Sequence, residues 1–233
     1  MTKVIEPPIE TPVPKTLKQA QTSGYWEGFK EAIEKEIQAL EDRETWEYID
    51  RETLPRGTNI LRAKFVFDIK RGAEGQFLKY KARMVAMGYT QIEGVDFFET
   101  FASVMTSKSF RILLSIWNND RDLRFEHWDV KNAFVNAPLK EEIFCHQVAG
   151  FEREGKQGKI LRLKKALYGT KQAAHAWQQH LAQIFTELGG KRNLKDECVY
   201  MFREGQGFLF LGTRRRFVSV VQSSRRTDQE QDS

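Results

Sequence analysis

Cysteine is nearly absent from this chain. Cys145 and Cys198 are the only two in 233 residues and lack the paired spacing of a zinc or disulfide motif, so both read as reduced thiols. Histidine is equally sparse. No two of His127, His146, His175 and His180 stand at the i, i+4 spacing of a paired-histidine ligand motif, and no zinc site is expected. No apolar run approaches the ~20 residues that cross a bilayer. The opening stretch, MTKVIEPPIETPVPKTLKQAQTSG, places acids and prolines where a secretory signal needs an apolar core. These absences point to an intracellular protein, cytoplasmic or nuclear, neither secreted nor membrane-bound.

What is present describes a globular chain: 40% hydrophobic and 30% charged residues, net charge +5 and a pI near 9.1. A polyanionic partner suits that charge without being required by it. Two of the five charges come from Thr213–Ser233, with five arginines against three acids, so the placement of cations is more informative than their sum.

Residues 1–24 hold four of the six prolines and read as a disordered linker. Trp26, Phe29, Ile33, Ile37 and Leu40 then recur at helical spacing. Ile60–Lys70 and Phe77–Ala86, parted by Gly72 and Gly75, read as an antiparallel hairpin. Phe110–Trp117 reads as a short helix. Leu123–Val130 reads as a strand delivering Asp129, followed by a short helix that Pro138 stops or bends. Ile143–Val148 and Lys159–Leu163 suggest a second hairpin. Gln172–Leu188 suggests a long helix with Trp177, Leu181, Ile184, Phe185 and Leu188 inward. Cys198–Phe202 and Phe208–Leu211 flank a turn at Gly205 and Gly207. Helices on one face of antiparallel sheets give an α+β fold.

The most informative stretch is His127–Phe144, HWDVKNAFVNAPLKEEIF. Asp129 closes the strand, and Lys131, Asn132, Ala133 and Phe134 wrap round its carboxylate, so an acid sits beside backbone N–H groups that can receive phosphate. An ordinary aspartate at a strand end remains the alternative from the residues alone. The stretch resembles the first catalytic motif of copia-type retrotransposon reverse transcriptases. Three more stretches resemble that family in the expected order: Trp26–Ile69 with Glu36, Leu40, Thr45, Trp46 and Glu47; Ile69–Phe101 with YKARMVAMGYTQIEGVDFFETF; and Leu161–Trp177, LRLKKALYGTKQAAHAW. The resemblance covers roughly Tyr25–Phe210.

The resemblance implies fingers followed by a palm in a domain over 25–212, with thumb and nuclease beyond this chain. It implies a two-ion magnesium site with Asp129 as catalytic carboxylate and, with the backbone oxygen of Val130, as metal ligand. It implies an RNA template, a DNA primer and dNTPs as substrates, and other polyprotein modules or polymerase chains as partners. Asn132 and Ala133 would offer backbone N–H groups to the triphosphate. Phe134 would act as a steric gate against a ribose 2′-OH; on the residues alone, a ring in the first turns of a helix is more often core.

Lys79, Lys81 and Arg83 alternate with Leu78, Tyr80 and Ala82 and so project from one strand face, either a phosphate-contacting stripe or a solvated face. Arg83, in the KAR triplet shared with the family, is the choice for the triphosphate, with Lys81 and Lys70 beside it and Lys79 toward template phosphates. Tyr168, Gly169, Lys171 and Gln172 form the turn into the long helix, Gly169 allowing close approach to base or sugar. Departures gather here: Thr170, Ala174 and His175 stand where the family usually has leucine, proline and arginine.

The largest departure is an absence. The family continues through an apolar strand into a turn bearing two adjacent aspartates. This chain has no such pair, and Phe208–Leu211 runs into Gly212, Thr213 and Arg214–Arg216. A frame change accounts for it economically: GTC GAC GAT preceded by C, regrouped by one base, becomes CGT CGA CGA, three arginines for Val-Asp-Asp. On this reading 213–233 is a non-homologous basic tail, frameshifted or mis-spliced, and the last palm strand lacks its hairpin partner. The expected function is an RNA-directed DNA polymerase domain, truncated and inactive as this chain. A noncatalytic nucleic-acid-binding fragment and a pseudogene product are the alternatives.

Overall fold

The computed structural model describes residues 5–119, 123–204, 207–214 and 217–223. In chain order its elements are α1 (Leu17–Gln21), α2 (Trp26–Glu41), β1 (Trp46–Ile49), β2 (Ile60–Leu61), β3 (Ala63–Arg71), β4 (Phe77–Ala86), α3 (Ser107–Asn119) and β5 (Leu123–Asp129). Then follow β6 (Pro138–His146), β7 (Ile160–Lys165), α4 (Ala173–Glu187), β8 (Lys191–Arg192), β9 (Val199–Glu204), β10 (Gly207–Arg214) and β11 (Phe217–Ser223). The fold is mixed, several sheets with few helices, in two compact units: Met1–Thr100 with Phe134–Ala173, and Phe101–Ala133 with Ala174–Ser233.

In the first unit β3 and β4 form the expected antiparallel hairpin, in register from Ala63↔Ala86 to Lys70↔Lys79, with an irregularity after Lys70. Strand alternation divides its faces. Phe65, Phe67, Ile69, Tyr80, Ala82, Met84 and Ala86 are buried, and α2 presents Phe29, Ile33, Ile37 and Leu40 to the same core. Phe29 packs 5.2 Å from the Phe67 ring and 4.6 Å from that of Tyr80. Each such side chain contributes about 1.5–3 kcal/mol of apolar burial, which is what makes the amphipathic α2 helical here. A second sheet has the order β1-β7-β6-β2, antiparallel except for the parallel β2–β6 pair.

Residues 5–24, read from sequence as linker, lie against this unit. Thr16 caps α1 by accepting from the Gln19 N–H at 3.2 Å, and Ala20 is buried. The Tyr80 hydroxyl donates to the Ile5 carbonyl at 2.7 Å, and Arg71 donates to the Pro8 carbonyl at 2.5 Å.

The second unit is built on one antiparallel sheet, order β5-β11-β10-β9-β8. Phe110 and Trp117 of α3 lie 6.3 and 5.6 Å from the Phe125 ring of β5, and Phe185 of α4 lies 5.0 Å from that of Tyr200 on β9. The Met105 N–H donates to the Thr213 carbonyl at 3.1 Å, and a Cβ on Gly212 would meet the Met105 sulfur at 2.3 Å, so a larger residue there would displace the Met105 side chain.

Three expectations need correction. The strand β10 does have a hairpin partner: β11 pairs with it from Leu209↔Gln222 to Arg214↔Phe217 and lies between it and β5. The apolar run Val218–Val221 is buried, as a central strand requires, and the cations preceding it had obscured that pattern. The short helix after Asp129 is a single 3₁₀ turn, Ala133–Asn136. Leu188 does not face inward. It lies beyond the end of α4, 69% exposed, where Gly189 turns the chain with φ +83°. The Gly205 part of the turn before β10 lies outside the described residues.

Candidate nucleotide and nucleic-acid site

The site residues expected from sequence fall into both units. In the second, Asp129 is the exposed last residue of β5 and Val130 follows it. Asn132 adopts φ +54°, a left-handed conformation that asparagine tolerates better than most residues, and so turns the backbone sharply after the carboxylate. Ala133 is buried at the start of the 3₁₀ turn.

The sheet register carries the main observation. Asp129 pairs with Phe217 on β11, and Phe217 pairs with Arg214 on β10. The last residue of β10 and the first of β11 therefore stand at the same sheet end as Asp129. Arg215 and Arg216, which stand between them in sequence, lie outside the described residues.

A magnesium pair is held by bridging carboxylates and other oxygen ligands. At this end of the sheet Asp129 is a strand-end carboxylate, and the sequence between β10 and β11 is cationic. Among the described residues no group of three or more histidine, cysteine, aspartate or glutamate side chains is placed to hold a metal. Among the described residues, Asp129 does not have the further carboxylates that a two-ion site takes.

In the first unit, Lys79, Lys81 and Arg83 alternate with the buried Tyr80, Ala82 and Met84, as the sequence predicts. Cross-strand register adds Lys70, opposite Lys79, and Asp68, opposite Lys81. Lys70 and Asp68 form an ion pair at 2.5 Å, so the stripe carries one carboxylate of its own. Burial lowers the pKa of Lys81 below the ordinary lysine value, with Arg83 and Lys70 adding repulsion. Such crowding favours an anionic partner.

The base of β4 meets the Tyr168 turn. The Ala86 N–H donates to the Tyr168 carbonyl at 2.8 Å. The Arg83 guanidinium lies 5.9 Å from the Tyr168 ring centre, and the Phe134 ring meets Tyr168 edge-on at 5.5 Å. Gly169 has φ +89°, and a Cβ there would stand 2.2 Å from the Ala86 carbonyl oxygen. Its glycine is thus required by backbone packing. Lys171 is exposed, its ammonium 4.5 Å from the Phe97 ring centre.

Gln172 is in a different position from its companions. It is 1% exposed, accepts from the Gln91 amide at 3.0 Å and donates to the Asp96 carbonyl at 2.8 Å. Gln91 in turn accepts from the Lys171 N–H at 2.7 Å. Gln172 braces the turn from within. Gln91 and Asp96 were missed in the sequence because nothing in YTQIEGVDFF separates buried polar struts from solvated loop. Thr170, one of the departures, is buried, and its hydroxyl donates to the Leu167 carbonyl at 2.8 Å and closes the turn. His175 contacts the Phe101 carbonyl through Nδ1 at 2.6 Å.

The strand-end aspartate thus lies in the second unit, and the cationic hairpin and the aromatic turn lie in the first. Residues 43–221 match the family model described as reverse transcriptase (RNA-dependent DNA polymerase), and the chain belongs to this family. It is 34% identical over 82% of its length to a retrovirus-related Pol polyprotein from transposon TNT 1-94 of Nicotiana tabacum, covering 14% of that protein. It is 32% identical over 85% of its length to the corresponding polyprotein from transposon RE2 of Arabidopsis thaliana, covering 13%. It is 26% identical over 92% of its length to the Ty1-DR4 Gag-Pol polyprotein of Saccharomyces cerevisiae, again covering 13%. These relatives are copia-type retrotransposon Pol polyproteins, and the chain spans only a small part of their length. The family match runs to residue 221, past the arginines and into β11. No described helix is long and apolar enough to cross a membrane.

Proposed function

We propose that this chain is the fingers and palm of a copia-type reverse transcriptase whose metal site is interrupted at Arg214–Arg216, leaving a domain that binds nucleic acid and does not polymerise. The observation that supports this is the register Asp129↔Phe217↔Arg214. It puts the backbone of Arg214, the last residue of β10, at the same end of the sheet as the strand-end Asp129. Two magnesium ions at such a site supply several kcal/mol of charge stabilisation to phosphoryl transfer. On this reading the sequence Arg214–Arg216 supplies cations where the family has two carboxylates. In this proposal the first unit supplies the fingers, with Lys79, Lys81 and Arg83 following template phosphates or the triphosphate, and the second supplies the palm.

The family match through residue 221 and the resumption of a buried strand at β11 favour a local interruption over a wholly unrelated tail. The frame change is then closed almost at once, by a second single-base shift after the third arginine codon. The genomic DNA around codon 214 tests this.

The decisive experiment is primer extension on an RNA template with magnesium and dNTPs. The chain as it stands gives no product. The triple substitution Arg214→Val, Arg215→Asp, Arg216→Asp restores synthesis, and Asp129→Ala abolishes it again. Robust synthesis by the unaltered chain refutes the proposal. Binding is tested apart: Lys79→Ala, Lys81→Ala and Arg83→Ala together weaken salt-sensitive, sequence-independent binding of an oligonucleotide.

A further inference from the structure

The hairpin β3–β4 is a two-stranded sheet among the described residues, so β4 turns one edge away from its partner. In a strand, the N–H groups of residues i and i+2 point the same way, and those on an unpaired edge need other acceptors. Two such groups on β4 are accounted for. The Ala86 N–H donates to the Tyr168 carbonyl at 2.8 Å, and the Met84 N–H donates to Oε1 of Glu36 at 3.3 Å, across 48 residues of chain. Glu36 sits on α2 among apolar residues. Burial raises its carboxyl pKa above the ordinary value, while the Met84 N–H and the charges of Arg83 and Lys81 draw it back down. A glutamate on a helix face that otherwise packs against apolar strand residues is costly unless it performs a task.

We infer that Glu36 is a positioning residue: by accepting the Met84 N–H it holds the outer edge of β4, and with it Arg83, in the geometry that presents the cationic stripe to a polyanion. The inference rests on the proposal that this stripe binds nucleic acid. Glu36 does not touch the ligand. It acts through the backbone of the residue next to Arg83. Its carboxylate also blocks an edge on which another strand could add.

The test separates the hydrogen bond from the charge. Glu36→Gln removes the charge and keeps an acceptor; Glu36→Ala removes both; Glu36→Asp keeps the charge and loses the reach. The probes are a 20-nucleotide single-stranded DNA titrated at fixed salt and amide hydrogen exchange at Met84. Because both remove the charge, Glu36→Ala should bind DNA about fivefold more weakly than Glu36→Gln, the ratio expected for one lost hydrogen bond. Met84 should exchange about tenfold faster in Glu36→Ala and Glu36→Asp than in Glu36→Gln, one order for a bond of that size. Should Glu36→Ala not fold, the Glu36→Asp and Glu36→Gln pair carries the exchange comparison and the binding comparison, the aspartate binding more weakly. Equal affinities and equal exchange across the variants, with wild-type binding intact, overturn the inference alone. Failure of the wild-type chain to bind DNA, or binding untouched by the triple alanine variant of the stripe, overturns the nucleic-acid reading and the inference with it, even where the Met84 exchange differs.

Discussion

Replacing Gly169 by alanine should destabilise the first unit by at least about 3 kcal/mol. Two costs combine. The residue has φ +89°, where an L side chain is held at a penalty of about 1–3 kcal/mol. The added Cβ would also stand 2.2 Å from the Ala86 carbonyl oxygen and 2.6 Å from Cγ1 of Val85, while real contacts of this kind begin above 3 Å. Relieving them moves the turn by about 1 Å, which stretches the Ala86–Tyr168 backbone hydrogen bond and forfeits about 0.5–1.5 kcal/mol more. The packing at Gly88 leaves little room for that movement, because a Cβ on Gly88 would lie 2.0 Å from the Gly169 carbonyl oxygen. Urea denaturation of wild type and variant, followed by far-ultraviolet circular dichroism, measures the difference, and oligonucleotide binding at fixed salt reports whether the Arg83–Tyr168 contact survives. A loss below about 1 kcal/mol would mean that the turn does not dock on β4 as described, and the reasoning from glycine to site geometry would fail.

Gln172→Leu should cost about 1–3 kcal/mol, since it leaves the Gln91 amide and the Asp96 carbonyl without their partner in a dry interior; denaturation midpoints measure it. Asp196→Asn should lower stability by a similar about 1–3 kcal/mol near neutral pH. Burial raises the Asp196 pKa, but hydrogen bonds from the Ser109 hydroxyl and the Thr106 and Cys198 N–H groups outweigh it and hold the carboxyl below its usual range. A depressed carboxylate stabilises fully above its unfolded pKa of about 3.9 and loses that contribution as pH falls through the folded value. The gap between Asp196 and its asparagine variant should therefore be constant above about pH 5 and close under acid, as denaturation across pH will read. In the chain with aspartates restored at 215 and 216, a smaller residue at Phe134 should admit ribonucleotides, measured as the ratio of ribo- to deoxynucleotide incorporation.

Much of this was legible in the residues. Strong alternation gave β3 and β4 and put Lys79, Lys81 and Arg83 on one face, because a half-buried strand writes its two faces into the sequence. The 3.6-residue spacing of Phe29, Ile33, Ile37 and Leu40 gave α2 for the same reason. Short-range signals did not reveal what depends on distant partners. The four residues of β1 are a strand because β7 pairs with them, and Gln172 is a strut because Gln91 lies beside it in space. The partner of β10 was misjudged through chemistry. Three cations broke the apolar pattern just where Val218, Val220 and Val221 begin a buried strand. The placement of Asp129 at a strand end was readable; its neighbours across the sheet followed only from register.

The interleaving of the two units bears on how the protein is made. Neither is a continuous stretch of polypeptide: the chain leaves the first after Thr100, returns at Phe134 and leaves again after Ala173. On a ribosome, Trp46 emerges long before Leu163, the residue it will pair with, and Leu123 of β5 long before Ser223 of β11. Each sheet must wait with an open edge while intervening chain is synthesised, the situation in which nascent strands pair wrongly or with one another. Chaperone dependence during translation, and a yield that falls when elongation is slowed and the open edges wait longer, follow from that order of assembly.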